Sequence, residues 1–93
     1  MRTIERSSAF KKDFKRLGKR PDWPNVQVDL SNIVAALAED RPLPERCRDH
    51  ALSGRWAGYR ECHVYPDVLL IYSKPDSANL RLVRLGSHSD LFT

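Results

Sequence analysis

Long apolar runs are missing from this sequence: nowhere do about 18 or more apolar residues follow one another, which removes a bilayer-spanning helix from the reading. The stretch from Met1 to Arg6 also lacks the apolar segment of a secretory signal, so the expectation is a cytoplasmic protein with no membrane partner. Cysteine is scarce as well. Cys47 and Cys62 are the only two, and without an export signal they are expected as reduced thiols. None of the short paired-ligand spacings of a structural zinc site occurs, and Cys62 and His63, adjacent on a predicted strand, point to opposite faces. Internal repeats and low-complexity segments are absent. What remains, 93 residues with 41% hydrophobic content, suits one domain spanning residues 1–93.

Charge is present in both signs but is unevenly spread. The net charge is +4, yet residues 1–20 hold eight basic side chains against Glu5 and Asp13, a local balance of +6, and the rest of the chain stands at −2. A basic stripe of this kind favours a polyanion such as RNA, and also fits a merely solvated helix face.

Hydrophobic spacing places the elements. Thr3 to Arg6 reads as a short edge strand, and Ser7 or Ser8 as the N-cap of a helix with Ala9, Phe10, Phe14 and Leu17 on one face and Lys11, Lys12 and Lys15 on the other. Gly18, Pro21, Trp23 and Pro24 are expected to end it. Val26, Leu30, Ile33, Val34 and Leu37 then recur at helical spacing, which predicts a second helix over 25–39, antiparallel to the first. Residues 40–54 have no sustained period and read as a long connection. Strand-like runs follow at 56–65, 68–73 and 80–85, separated by turns at Pro66-Asp67 and Pro75-Asp76-Ser77. The expected fold is α+β, two N-terminal antiparallel helices packed on a three- to four-stranded antiparallel sheet.

Three histidines carry the chemical signal. Strand alternation sets Tyr59, Glu61, His63 and Tyr65 on one face, and Arg60, Cys62 and Val64 on the other. Asp49-His50 lies in the long connection, Asp67 one turn beyond His63, and His88 just past the last strand. In an antiparallel sheet these positions can meet at one rim. Histidines titrate near neutral pH, so such a group suits RNA transesterification, with one side chain taking the 2′-OH proton and another protonating the departing 5′-oxygen. Arg81 or Arg84 could stabilise the phosphate charge, Arg60 being disfavoured by strand parity. Phe92 fits either a base-stacking role or an anchor for the tail. This scheme needs no metal and no cofactor.

Several segments together resemble the YafQ branch of the RelE/ParE superfamily of bacterial toxins. They are Phe10-Lys11-Lys12-Asp13-Phe14-Lys15, Leu43-Pro44, Arg48-Asp49-His50-Ala51-Leu52-Ser53-Gly54, Trp56-Ala57-Gly58-Tyr59-Arg60-Glu61-Cys62-His63-Val64, Pro66-Asp67-Val68-Leu69-Leu70-Ile71-Tyr72 and Arg84-Leu85-Gly86-Ser87-His88-Ser89-Asp90-Leu91-Phe92. The resemblance implies a RelE/ParE-like fold, a ribosome-dependent mRNA endonuclease, rRNA contacts through the basic helix face, and a cognate antitoxin that silences it. It assigns acid, base and phosphate-binding work to His50, His63 and His88, a tuning role to Asp67 and base contact to Phe92. The linker from Arg20 to Pro24 matches no motif. Two other readings stand beside it: a gyrase-poisoning toxin of the same fold, and a non-catalytic basic RNA-binding module.

Overall fold

A computed structural model describes residues 1–92. The elements run β1 (Thr3–Arg6), α1 (Ser8–Leu17), α2 (Trp23–Ala38), β2 (His50–Ala51), β3 (Arg60–Tyr65), β4 (Val68–Ser73), β5 (Asn79–Gly86) and α3 (His88–Leu91). Single 3-10 turns at Glu45–Cys47 and Gly54–Trp56 flank β2. The strands form one five-stranded sheet in the order β1-β5-β4-β3-β2. The expected antiparallel sheet of three or four strands is corrected to a mixed sheet of five, because β1 pairs in parallel with β5. The hairpin turns after β3 and β4 dictate antiparallel neighbours. Nothing local fixes the direction of β1, whose partner lies more than seventy residues away.

Ser7 caps α1, its hydroxyl accepting from the Phe10 N–H at 2.9 Å and donating to the Val83 carbonyl at 2.6 Å. Phe10 and Leu17 are buried, and Phe14 meets the Trp23 ring edge-on at 5.0 Å. The second helix starts at Trp23, two residues before the expected 25, with Pro24 in its first turn. A proline there loses no hydrogen bond and has the right φ, so the residue pair expected to break a helix instead opens one. The first helix packs chiefly on β5, the second on β3 and β5.

Those contacts bury one face of the sheet. Val68, Leu70, Tyr72, Leu80, Leu82 and Leu85 join Phe10, Val26, Leu30, Ile33 and Leu37 in the main core, together with Cys47 and Cys62. Both thiols are free and buried, and burial pushes their titration up. The opposite face holds a smaller apolar cluster of Leu69, Ile71 and Leu91, edged by Trp56, Tyr59, Val83 and Phe92. Strand β4 therefore has apolar neighbours on both sides, and all six of its residues are buried.

Two irregularities reset the alternation. Between His63 and Tyr65 the register with β4 shifts, so Tyr65 pairs with Val68 and packs on the main core rather than beside His63 as strand parity predicted. Between Leu82 and Arg84 a second shift lets Leu82 and Leu85 both face the helices. There α1 takes over the edge of β5 that β1 leaves bare. The buried Asp13 accepts from the Leu85 N–H at 3.0 Å, and Arg16 donates to the Leu85 carbonyl at 3.3 Å. Among the described residues no helix is long and apolar enough to cross a membrane.

Candidate functional site

The second face of the sheet gathers most of the side chains expected to form the site. Its centre is a cleft of about 550 Å³ lined by His63, Pro66, Asp67, Leu69, His88 and Phe92, among others. Three local devices build it. Glu61 and His63 project from β3 opposite Ile71 and Leu69 of β4. The turn after β3 brings Asp67 round to the same rim. On the far side, α3 is fixed by a capping box in which the Ser87 hydroxyl accepts from the Asp90 N–H and the Asp90 carboxylate accepts from the Ser87 N–H. This helix was not expected from the sequence, although the Ser87-His88-Ser89-Asp90 spacing is the signal that could have shown it. It sets His88 and Phe92 one turn apart, with ring centroids at 4.7 Å.

Gly86 suits this close placement. A Cβ there would lie 3.0 Å from the Arg16 guanidinium and 3.2 Å from the Asp90 Cβ, tight contacts that would make Arg16 and the start of α3 give by a few tenths of an ångström.

His50 reaches the same face by another route. It sits on β2 directly across from Glu61, which makes His63 its diagonal neighbour, at roughly 7–8 Å between Cα atoms. Part of the connection expected to be irregular is thus a two-residue edge strand. Asp49, pointing the other way, accepts from the Tyr72 hydroxyl at 2.6 Å and from Arg60 at 3.3 Å, which pins the segment. Both His50 ring nitrogens are engaged: Nδ1 lies 2.6 Å from the Arg48 carbonyl oxygen, and Nε2 lies 2.9 Å from a Glu61 carboxylate oxygen. Both partners are acceptors when Glu61 is ionised, so the two contacts require a doubly protonated ring, or a neutral ring and a protonated Glu61. Glu61 itself is 4% exposed, and its other oxygen, Oε1, is buried with no hydrogen-bond partner among the described residues.

Asp67 is held by Arg20, from the linker that matched no motif. The guanidinium donates to both Asp67 oxygens, at 2.9 and 3.1 Å, and to both Asp22 oxygens, at 2.8 and 2.7 Å. It holds the Asp22 carboxyl below the usual carboxylate range, while the two acids push Arg20 further up.

The arginines and lysines fall into separate places. Arg84 gives two hydrogen bonds to Asp13, at 2.7 and 3.2 Å, and borders a second cleft beyond Phe92. Arg81 pairs with Ser73 and Glu5 at the other end of β5, about 16 Å along the strand from Gly86, so the structure does not bring it to the histidines. Lys11, Lys12 and Lys15 are exposed on α1. That helix adjoins the site through Arg16, whose guanidinium is 3.7 Å from Asp90. Sequence reasoning missed Glu61, Arg20 and Asp13. Only Glu61 left a trace, two residues before His63 on the same strand face.

The model for the bacterial toxin YafQ of type II toxin–antitoxin systems matches residues 2–93, nearly the whole chain. The chain belongs to the YafQ toxin family. The mRNA interferase toxin YafQ of Escherichia coli strain K12 is 41% identical over 91 residues, which cover 98% of this chain and 96% of that one. The crystal structure of YafQ from E. coli BL21(DE3) covers the whole of both chains with a TM-score of 0.87 at 38% identity. YafQ in the E. coli DinJ-YafQ complex does so with a TM-score of 0.85 at 39% identity. This YafQ-family chain is accordingly the toxin of a type II toxin–antitoxin system, and an endoribonuclease of the mRNA interferase kind.

Proposed function

We propose that the protein cuts mRNA on the ribosome by acid–base transesterification at the cleft between β3, the turn after it and α3. The observation that carries this reading is that His63, Asp67, His88 and Phe92 line one cleft, with His50 on the same face beside it. In this scheme a base removes the proton from the 2′-OH, the 2′-oxygen bonds to phosphorus, and the P–O5′ bond breaks as an acid protonates the leaving oxygen. The products are a 2′,3′-cyclic phosphate and a 5′-OH.

His50 suits the acid. The Arg48 carbonyl fixes its Nδ1 edge, and the Nε2 edge faces Glu61 on the side of His63, from where it would turn to the leaving oxygen once substrate displaces that contact. His63 and His88, on opposite sides of the cleft, take the base and the phosphate-binding roles. Asp67, braced by Arg20, orients the charge facing them, and Phe92 stacks on the base. Each positioned acid or base typically contributes about 10²- to 10⁴-fold, which gives a working nuclease from these side chains. Lys11, Lys12 and Lys15 supply a surface for rRNA phosphates, and Arg84 adds to the positive field.

The partner is a cognate antitoxin, as DinJ is for the E. coli protein, covering the cleft or displacing the segment from residue 86 onward. Action on ribosome-bound message places the protein in the cytoplasm. Primer extension on message in a translating extract is the direct test. Cut message with the native chain and intact message with His63→Ala or His88→Ala, both variants folded by circular dichroism, is the expected result. Intact message with folded native protein would overturn the reading.

A further inference from the structure

Phe92 is a wall between two clefts. On its other side lies a second one, of about 600 Å³, bordered by Arg55, Trp56, Tyr59, Arg84 and Asp90. We propose that this cleft is a nucleotide subsite, taking a base of single-stranded message next to the scissile nucleotide. The inference rests on the nuclease reading above and extends it to a second nucleotide.

Three observations carry it. The first is composition: two partly buried aromatic rings, Trp56 and Tyr59, meet edge-on with centroids 5.5 Å apart, and Trp56 meets Phe92 edge-on at 6.3 Å. Rings presented this way beside cations are how proteins hold unpaired bases and the phosphates between them. The second is charge. Arg55 is exposed and has no ion-pair partner among the described residues, and Arg84 spends only part of its guanidinium on Asp13. The one acid present, Asp90, is already committed to the Ser87 N–H and to Arg16.

The third observation is that the cleft is built in advance. Residues 52–59 are closed into a loop by the Leu52 N–H donating to the Tyr59 carbonyl at 2.9 Å. Gly54 and Gly58, at φ +63° and +92°, turn the chain where a side chain would be strained, and so aim Trp56 back across the sheet. Both rings edge the smaller apolar cluster, yet each keeps part of its surface open beside a pair of arginines, separated from the catalytic cleft by one phenylalanine.

The test pairs changes in protein and in RNA. Ribosomes are programmed with a short message that the native chain cuts, and with the same message carrying an abasic site immediately 5′ or 3′ of the cut. Failure of the native chain to cut the intact message would remove the nuclease reading itself and leave the subsite without a substrate. Given cutting, Trp56→Leu is expected to slow cleavage of the intact message roughly 5- to 150-fold, the range for losing one stacked base. On one of the two abasic messages that penalty should vanish, because the base it acts on is already gone. The same penalty on all three messages would overturn the proposal, since a displaced Phe92 would give that pattern. Arg55→Gln, at an exposed position that the fold does not need, should raise KM with kcat unchanged and flatten the salt dependence of cleavage. No change in either would also count against the subsite.

Discussion

Replacing Glu61 by methionine should make the protein more stable and less active at once. The side chain is 6% exposed, and its Oε1 is buried without a partner. Leaving a buried polar atom unsatisfied costs about 1–3 kcal/mol, more for a charged group. Its other oxygen bonds His50, whose side chain is 51% exposed, and a pair so open to water contributes only about 0.2–1 kcal/mol. The first effect wins. Glu61→Met, close in shape and apolar, should gain about 1–2 kcal/mol, which at about 4–8 °C per kcal/mol for a domain of this size raises Tm by about 4–16 °C. Cleavage should fall at least tenfold, because His50 loses the contact that orients its ring. Thermal unfolding by circular dichroism, set beside primer extension on ribosome-bound message, reads both quantities. A lower Tm would show that the carboxylate serves the fold, and unchanged cleavage with a higher Tm would remove the His50–Glu61 pair from the chemistry.

Other outcomes follow from the same geometry. Arg20→Gln frees Asp67 without touching the cleft, so it should slow cleavage in the native background and add nothing in an Asp67→Asn background; a double-mutant cycle on kcat measures this, and additive losses would mean that Arg20 acts elsewhere. Asp13→Ala strands the buried Leu85 N–H and unpairs Arg84, and should cost about 2–4 kcal/mol in urea unfolding, with Asp13→Asn, which keeps an acceptor, costing less. The Ser87 backbone N–H, and next its hydroxyl, hold the Asp90 carboxyl below the usual range. Its contribution to α3 is therefore fully present above the ordinary carboxylate range and is lost as pH falls through the depressed value. Amide exchange at Asp90 and Leu91 should speed up at that acid edge before the exchange of the β4 amides changes.

What the sequence made legible is what short-range patterning controls. The spacing of Phe10, Phe14 and Leu17 and the cap at Ser7 gave α1, the turn at Pro66-Asp67 gave the β3–β4 hairpin, and alternation put His63 on the face away from the helices. His63, Asp67, His88 and Phe92 were also named as one group, on the strength of motifs around them. What escaped depends on partners far along the chain. One extra residue near Val64 moved Tyr65 to the other face, and no local pattern announces such a bulge. Pairing of β1 with β5 is set by packing. Arg84, one of two arginines that could have stabilised the phosphate charge, is drawn to an aspartate 71 residues away. Arg20 had no motif, because its function is to bridge two carboxylates that meet only after folding.

The takeover of β5 by α1 also decides how the sheet can grow. From Thr3 to Arg6 a neighbouring strand covers the β5 edge, and beyond Leu82 the side chains of Ser7, Asp13 and Arg16 occupy its backbone groups. No length of that strand is left for a visiting chain. Strand addition is confined to the outer borders, four residues at β1 and two at β2. Short borders of this kind discourage self-association into ribbons. A protein that attached by this means would have to choose between a border beside Asn79 to Leu82, remote from the cleft, and one that carries His50.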